Sequence, residues 1–383
     1  HAKDGEFWNT NPQRMLANNS IVYTEKPDAT QFMEDWLVLA RSGSGERGII
    51  NRESMEFIVS QTGRRETGYP WGVNPCAEII LRPNSFCNLT EVVIRPEDTK
   101  QTLRQKVRYA TVLGCLQSTL TDFGFLSRSW KNNTEDERLL GVSLTGLRDH
   151  PILGKVSKKA KAWLTEMKET AIETAEEWSK ALHINMPAAI TCTKPSGTVS
   201  QLVDSASGLH PRFSPYYVRR VRVSTGDPVF KYLNSIGMKW EPEVGQTREG
   251  CSTAVFPFPI KSPESAVMRQ DVDALEQLEY WLMLQKYWCE HKPSITVYVK
   301  ENEWLKVGSW VYEHWNYVSG ISFLPYDGGV YPLAPYTECT EEEFIELSKN
   351  LPVMDFLQLS VFENEDKTEG SREFNCTGDK CEM

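Results

Sequence analysis

Apolar residues along this chain recur with two alternating spacings, and the alternation predicts its elements. Residues 20–24 (Ser-Ile-Val-Tyr-Thr) read as a short strand and 30–41 as a helix, followed by a turn-rich loop over 42–48 (Ser-Gly-Ser-Gly-Glu-Arg-Gly). A strand is predicted over 88–95. A helix begins near Asp98 or Thr99 as cap, with Leu103, Val107, Ala110, Leu113, Leu116 and Leu120 at spacings of three and four on one buried face. A second long helix covers about 156–183, burying Ala160, Leu164, Met167, Ala171, Ala175, Trp178 and Leu182. Ser262-Pro263-Glu264 reads as the start of a helical region running, with breaks, to Glu290. Strands are predicted at Ile295–Val299 and Ile321–Leu324 with a helix between them, and a last helix at 341–350. Strands alternating with helices imply an α/β fold with mostly parallel strands. Periodicity alone leaves barrel and open sheet both open.

Bulk properties narrow the function. The 383 residues are 40% hydrophobic, enough for a large core and one or two domains. No stretch reaches the ~18–20 uninterrupted apolar residues of a membrane span. The polar, charged start, His1 to Asn19, does not read as a signal peptide. His1 is not an initiator Met, so a longer reading frame or product is expected. The net charge of -10 argues against non-specific nucleic-acid binding. Nine cysteines in so long a chain are no disulfide scaffold, and a reducing, cytoplasmic compartment is expected. Cys115, Cys192, Cys251, Cys289 and Cys339 sit in apolar or mixed segments and read as core or incidental.

Candidate chemistry concentrates in residues 74–90, Asn-Pro-Cys-Ala-Glu-Ile-Ile-Leu-Arg-Pro-Asn-Ser-Phe-Cys-Asn-Leu-Thr. Asn74, Cys76 and Glu78 alternate, so in an extended segment an amide, a thiol and a carboxylate project to one side. The thiol can lose a hydrogen atom or a proton, the carboxylate is a general base, and the amide can orient a substrate hydroxyl. Cys87 is far enough along for the chain to fold back beside Cys76. A surface loop with two unrelated cysteines is the plain alternative.

This stretch closely resembles the active-site segment of the ribonucleotide reductases, Asn-Pro-Cys-Gly-Glu followed at the same spacing by Cys-Asn-Leu. The one departure is Ala77, where Gly is usual. The resemblance implies that Cys76 is the thiyl-radical residue taking the 3′ hydrogen of the ribose. It implies that Glu78 is the base at the 3′ hydroxyl and that Asn74 bonds the ribose hydroxyls. Cys87 would be one of two thiols that reduce the 2′ carbon and end as a disulfide.

Two further segments fit. Residues 188–203 run from a short apolar strand through Lys-Pro-Ser-Gly-Thr into a helix start, which can hold an anion or be an ordinary capped helix. The matching loop of the family holds the substrate phosphates, so that role passes to Ser196, Gly197, Thr198 and Ser200. Arg219, Arg220 and Arg222 read as structural ion pairs. At the end of the chain, Cys376 and Cys381 lie five apart on a Gly-containing segment and can meet as a disulfide. Too few ligands are near for zinc, and no metal is expected. By resemblance, this pair is the shuttle that re-reduces the active-site disulfide and is itself reduced by thioredoxin or glutaredoxin. Residues 364–383 are accordingly expected to be a flexible redox-active tail and 1–363 the C-terminal half of the catalytic barrel.

Residues 82–93, 117–124, 137–146 and 323–329 are similar to the monomeric adenosylcobalamin-dependent ribonucleoside-triphosphate reductases in particular. That likeness implies adenosylcobalamin as radical source, a ribonucleotide substrate and a dNTP effector bound mostly outside this chain. The family barrel has ten strands in two halves, with the radical cysteine on a finger loop inside. This chain would supply that loop and the second half, leaving open strand edges and an apolar inner wall. An N-terminal half encoded or cleaved separately is therefore expected, without which the chain would be inactive and poorly soluble. Two other readings remain open: a class I large subunit, with Tyr331 and Tyr336 as candidates for a radical path, and a non-catalytic nucleotide-binding assembly subunit. A dithiol oxidoreductase working through Cys376 and Cys381 alone is a third.

Overall fold

A computed structural model of the chain describes residues 10–11, 13–14, 19–42, 48–326, 332–363 and the backbone of 376–377 and 380–381. Residues 43–47 of the loop expected at 42–48, Tyr331 and most of the tail lie outside the described residues.

Seven strand segments make the central sheet. β5 (Asn88–Val93) pairs in parallel with β6 (Leu140–Thr145). β6 meets segment 190–193 through a parallel bridge at Val142 and Thr191, and that segment meets residue 293 through another at Thr193. The chain continues into β10 (Thr296–Val299), which runs parallel to β11 (Gly320–Pro325). These five segments run parallel, in keeping with the mostly parallel strands expected. β11 then pairs antiparallel with β2 (Gly48–Asn51), and β2 pairs in parallel with β1 (Ser20–Tyr23).

Register decides what each face carries, because residues paired across a ladder share a side and alternate along the strand. One side presents Val92, Leu140, Val142, Leu144, Ile295, Val297, Val299, Ile321 and Phe323, none more than 4% exposed. They form one core with helices α1 (Ala29–Ser42), α3 (Lys100–Gln117), α5 (Lys158–Leu182), α8 (Ala274–Tyr287) and α9 (Trp304–Glu313). The other side presents Glu91, Ser143, Lys194, Lys292, Ser294, Thr296 and Ser322, with glycines at 141 and 320. Hydroxyls and charges occupy the middle of this side, flanked by Leu89, Val93, Tyr298 and Leu324. The inner wall is thus mixed, polar at its middle and apolar toward the strand ends, where an apolar wall was expected.

Other expectations shift in detail. Thr99 caps α3 in a capping box with Thr102, and Leu103, Val107 and Ala110 are buried as predicted. Leu113, Leu116 and Leu120 instead point outward, because the buried face of α3 continues through Thr111, Gly114 and Cys115. Ser262-Pro263-Glu264 opens a turn, and α8 begins at Ala274, capped by Asp273. A second antiparallel sheet, in the order β12 (Tyr336–Glu338), β7 (Tyr216–Ser224), β9 (Thr253–Lys261), β8 (Glu241–Pro242), packs under α7 (Pro228–Ser235). There Arg222 pairs with Glu243, but Arg219 and Arg220 donate to the Tyr336 hydroxyl, the Ala334 carbonyl and the Thr337 hydroxyl. Among the described residues, one of the three arginines, Arg222, forms the expected ion pair.

Candidate active site

The chain leaves β3 (Gly72–Val73), turns, and returns as β4 (Ile80–Leu81), its antiparallel partner. Between them, Asn74 to Ala77 is a tight turn: the Ala77 N–H donates to the Asn74 carbonyl at 2.8 Å. The segment is not extended, so the alternation argument does not hold there. The turn places Cys76 exposed at its apex and sends Glu78 inward, where it is 0% exposed. Ala77 sits at φ 59°, the left-handed region. This explains why glycine suits the position. An L-residue there costs about 1–2 kcal/mol. The Asn74 side chain helps to hold the turn, its Oδ1 accepting from the Ile79 N–H at 3.0 Å.

The return leg to Cys87 is pinned by charge. Arg65 pairs with Glu137 at 2.6 Å, both nearly fully buried. Arg82 reaches Asp136 at 2.6 Å and Glu137 at 3.3 Å. The Ser85 hydroxyl also donates to Glu137. Cys87 then precedes β5, its sulfur lying against Gly141 of β6. Burial, reinforced by the nearby Glu78 carboxylate, pushes the Cys87 thiol well above its ordinary pKa.

Glu78 meets few partners. Neither carboxylate oxygen has a hydrogen bond among the described residues, and Lys194 Nζ lies 3.8 Å from Oε1. Burial lowers Lys292 to about 8 despite the opposing pull of Glu78. Beside them, Ser196 donates to Glu91 Oε2 at 2.6 Å. Burial raises the Glu91 carboxyl, the Ser196 bond opposing it.

The predicted phosphate loop is therefore adjacent to the thiol loop. Its Lys194 N–H donates to Ser143 at 2.9 Å and its Gly197 N–H to Ser207 at 3.3 Å. Ser200 turns its hydroxyl back on the Gly197 carbonyl at 2.7 Å, and Thr198 is exposed. The helix it opens, α6 (Thr198–Leu202), is only five residues long.

Cys115, Cys192 and Cys289 are buried, whereas Cys251 and Cys339 are partly exposed. At the far end, Cys376–Thr377 pairs antiparallel with Lys380–Cys381, with Cys376 opposite Cys381. Among the described residues no group of three or more His, Cys, Asp or Glu is placed to hold a metal ion, and no helix is long and apolar enough to cross a membrane.

Sequence reasoning did not single out Glu91, Lys292 or Ser294. The available signal was a charged run, Glu290-His291-Lys292, between apolar Trp288-Cys289 and Ile295.

No family model matches the chain. Curated relatives do. An adenosylcobalamin-dependent ribonucleoside-triphosphate reductase of Lactobacillus gasseri is 25% identical over 86% of this chain and 47% of its own length. The enzyme of that name from Euglena gracilis is 26% identical over 99% and 51%. A probable one from Dictyostelium discoideum is 27% identical over 93% and 47%. The chain is thus similar to adenosylcobalamin-dependent ribonucleoside-triphosphate reductases. It spans about half the length of these curated reductases. Its fold matches the crystal structure of a B12-dependent (class II) ribonucleotide reductase, with TM-score 0.74 and 22% identity over 94% of this chain and 54% of that one. The class Id reductase alpha subunit of Actinobacillus ureae aligns less well, with TM-score 0.53 and 14% identity over 78% of this chain and 62% of that one.

Proposed function

We propose that this chain is the catalytic C-terminal part of an adenosylcobalamin-dependent ribonucleoside-triphosphate reductase, working in the cytoplasm. The observation that carries the reading is the buried Glu78 carboxylate, two residues after the exposed Cys76 thiol and near enough to Cys87 to raise its pKa. A scaffold subunit needs no such set.

Cys76, as a thiyl radical, removes the 3′ hydrogen of the ribose and later returns it. Glu78 takes the 3′ hydroxyl proton. Among the described residues neither oxygen has a hydrogen bond, which leaves both to be satisfied by a substrate. Asn74 keeps its Nδ2 donors for the ribose hydroxyls. Cys87 and a thiol outside this chain deliver two electrons and two protons. The 2′ hydroxyl leaves as water and the two sulfurs join as a disulfide. Ser196, Gly197, Thr198 and Ser200 hold the triphosphate, with Lys194 nearby as countercharge.

An exposed sulfur at the apex of a turn suits a bulky planar cofactor, which must approach it from one open side. When bound, adenosylcobalamin supplies an unpaired electron by homolysis of its cobalt–carbon bond. Residues 364–383 act as the shuttle. Directly opposed residues of an antiparallel pair have Cα atoms about 4.5–5.5 Å apart, within the span of a disulfide, so Cys376 and Cys381 suit that role. Thioredoxin or glutaredoxin re-reduces them. A separate N-terminal half supplies the missing thiol and most of the dNTP effector site.

The test mixes this chain with a candidate N-terminal half, adenosylcobalamin, a ribonucleoside triphosphate and a dithiol. Wild type yields deoxynucleotide and Cys76→Ser yields none. Cys376→Ser loses turnover with thioredoxin but keeps it with a small dithiol. Product from Cys76→Ser, or turnover by this chain alone, refutes the scheme.

A further inference from the structure

One short stretch of distant chain holds three consecutive peptide carbonyls of the thiol turn. The Ser294 hydroxyl donates to the Cys76 carbonyl at 2.5 Å. Lys292 Nζ donates to the Ala77 carbonyl, and the Lys292 backbone N–H donates to the Glu78 carbonyl at 3.2 Å. Lys292 and Ser294 share the inner side of the strand, flanking Pro293. They stand about 6.6 Å apart along it, matching a turn folded back on itself.

This stretch is firmly based. Pro293 takes part in the bridge to Thr193, and its carbonyl accepts from the indole of the fully buried Trp281 at 2.8 Å. The His291 carbonyl accepts from Gln285 at 3.1 Å. The ammonium group occupies space that only glycine leaves open on the next strand, since a Cβ at Gly320 would come within 2.8 Å of Lys292 Nζ. Lys292 is 1% exposed. A buried lysine whose ammonium is directed at a peptide carbonyl is there for that contact, since burial otherwise disfavours its charge.

We propose that Lys292 and Ser294 are positioning residues that clamp the Cys76, Ala77 and Glu78 carbonyls and so fix the thiol and the carboxylate relative to each other. The clamp also holds Ala77 in its left-handed conformation. Its bearing on turnover rests on the reductase reading, whereas the clamp itself does not.

Amide hydrogen exchange on this chain tests it directly. The Ala77 and Ile79 N–H groups close the turn through Asn74. The Leu140 and Val142 N–H groups, bonded to Ala189 and Ile190, report on the sheet. In Lys292→Met, exchange at Ala77 and Ile79 rises about tenfold while Leu140 and Val142 keep their wild-type rates. Ser294→Ala raises the turn amides about threefold. Unchanged turn exchange in a Lys292→Met protein with an intact sheet overturns the proposal. If Lys292→Met fails to fold, Ser294→Ala decides alone, and unchanged turn exchange there overturns it equally. In the completed enzyme both variants lower kcat at unchanged KM, and Lys292→Arg recovers part of the loss. A shift confined to KM contradicts positioning. Absence of product from wild type would sink the reductase reading while leaving the exchange result standing.

Discussion

The two faces of the central sheet are built from the same strands by opposite rules. The outer face is assembled by burial alone: nine aliphatic and aromatic side chains, none more than 4% exposed, lock against five helices. The inner face alternates with it residue by residue yet carries carboxylates, lysines and hydroxyls. Among the described residues, Glu91 on this face lacks a hydrogen bond at Oε1, and Glu78 of the adjoining turn lacks one at both oxygens. Burying a carboxylate without hydrogen bonds is unfavourable, so such groups persist where a ligand completes them. Apolar packing therefore dominates one side of the strands, while the other gathers the polar groups on which the proposed chemistry rests.

The sharpest way to break this division is on the outer side. Phe323→Ala should lower unfolding free energy by about 3–5 kcal/mol, read from urea denaturation, since Phe323 is fully buried on the outer side. The alkylation rate of Cys76 should not change while the protein stays folded. A changed Cys76 rate in the folded variant would show that the two faces are not separable.

Acid probes the seam between them. His291 joins β4 to β6, accepting from the Ile80 N–H at Nδ1 and lying 3.1 Å from the Leu140 carbonyl at Nε2. Burial lowers His291 to about 3 and His210 to about 4. Both are neutral when folded, whereas the unfolded chain takes up protons near pH 6.5. Their contribution is thus fully present above pH 6.5. It declines as pH falls toward 4 and 3, by up to about 1.4 kcal/mol per pH unit for each histidine. Urea midpoints measured between pH 7 and 4.5 check this, and a flat profile contradicts it.

Ala77→Gly relieves the left-handed strain but adds freedom to the unfolded chain. A net gain of about 0.5–1 kcal/mol is expected, visible as a raised urea midpoint. The smallest effect is electrostatic. Glu78→Gln removes the charge that supports the Lys292 ammonium, so Lys292 should titrate below about 8, as followed by NMR of its side-chain nitrogen.

Much of the outer architecture was legible from the pattern of apolar residues, because helices such as α5 need only a repeating stripe, and Ala160, Leu164, Met167, Ala171 and Ala175 supply it. The pattern misled where a helix had apolar residues to spare. In α3, Leu113 and Leu116 compete with Thr111, Gly114 and Cys115, and the small residues win the interior because Gly114 packs directly against Leu140. At 263, proline and glutamate imitate a helix start, but the cap that closes is Asp273. The motif of the thiol loop suggested a chemistry but not a shape. Nothing in Asn74 to Glu78 states that Ala77 turns left-handed. That conformation is held by side chains more than two hundred residues later, a relation no local pattern contains.

Gly141 carries a consequence for how this protein could vary. A methyl group there would lie 2.5 Å from Leu89, 3.0 Å from Ile79 and 3.1 Å from the Cys87 sulfur. The smallest possible enlargement of one strand would therefore jostle a neighbouring strand, the thiol loop and a reactive atom at once. Repacking Leu89 or Ile79 could restore the fold, yet it would leave the sulfur displaced. Tolerance at this position is limited by the reach of one atom, and a sequence library built around it should return glycine even where selection asks only for function and ignores stability.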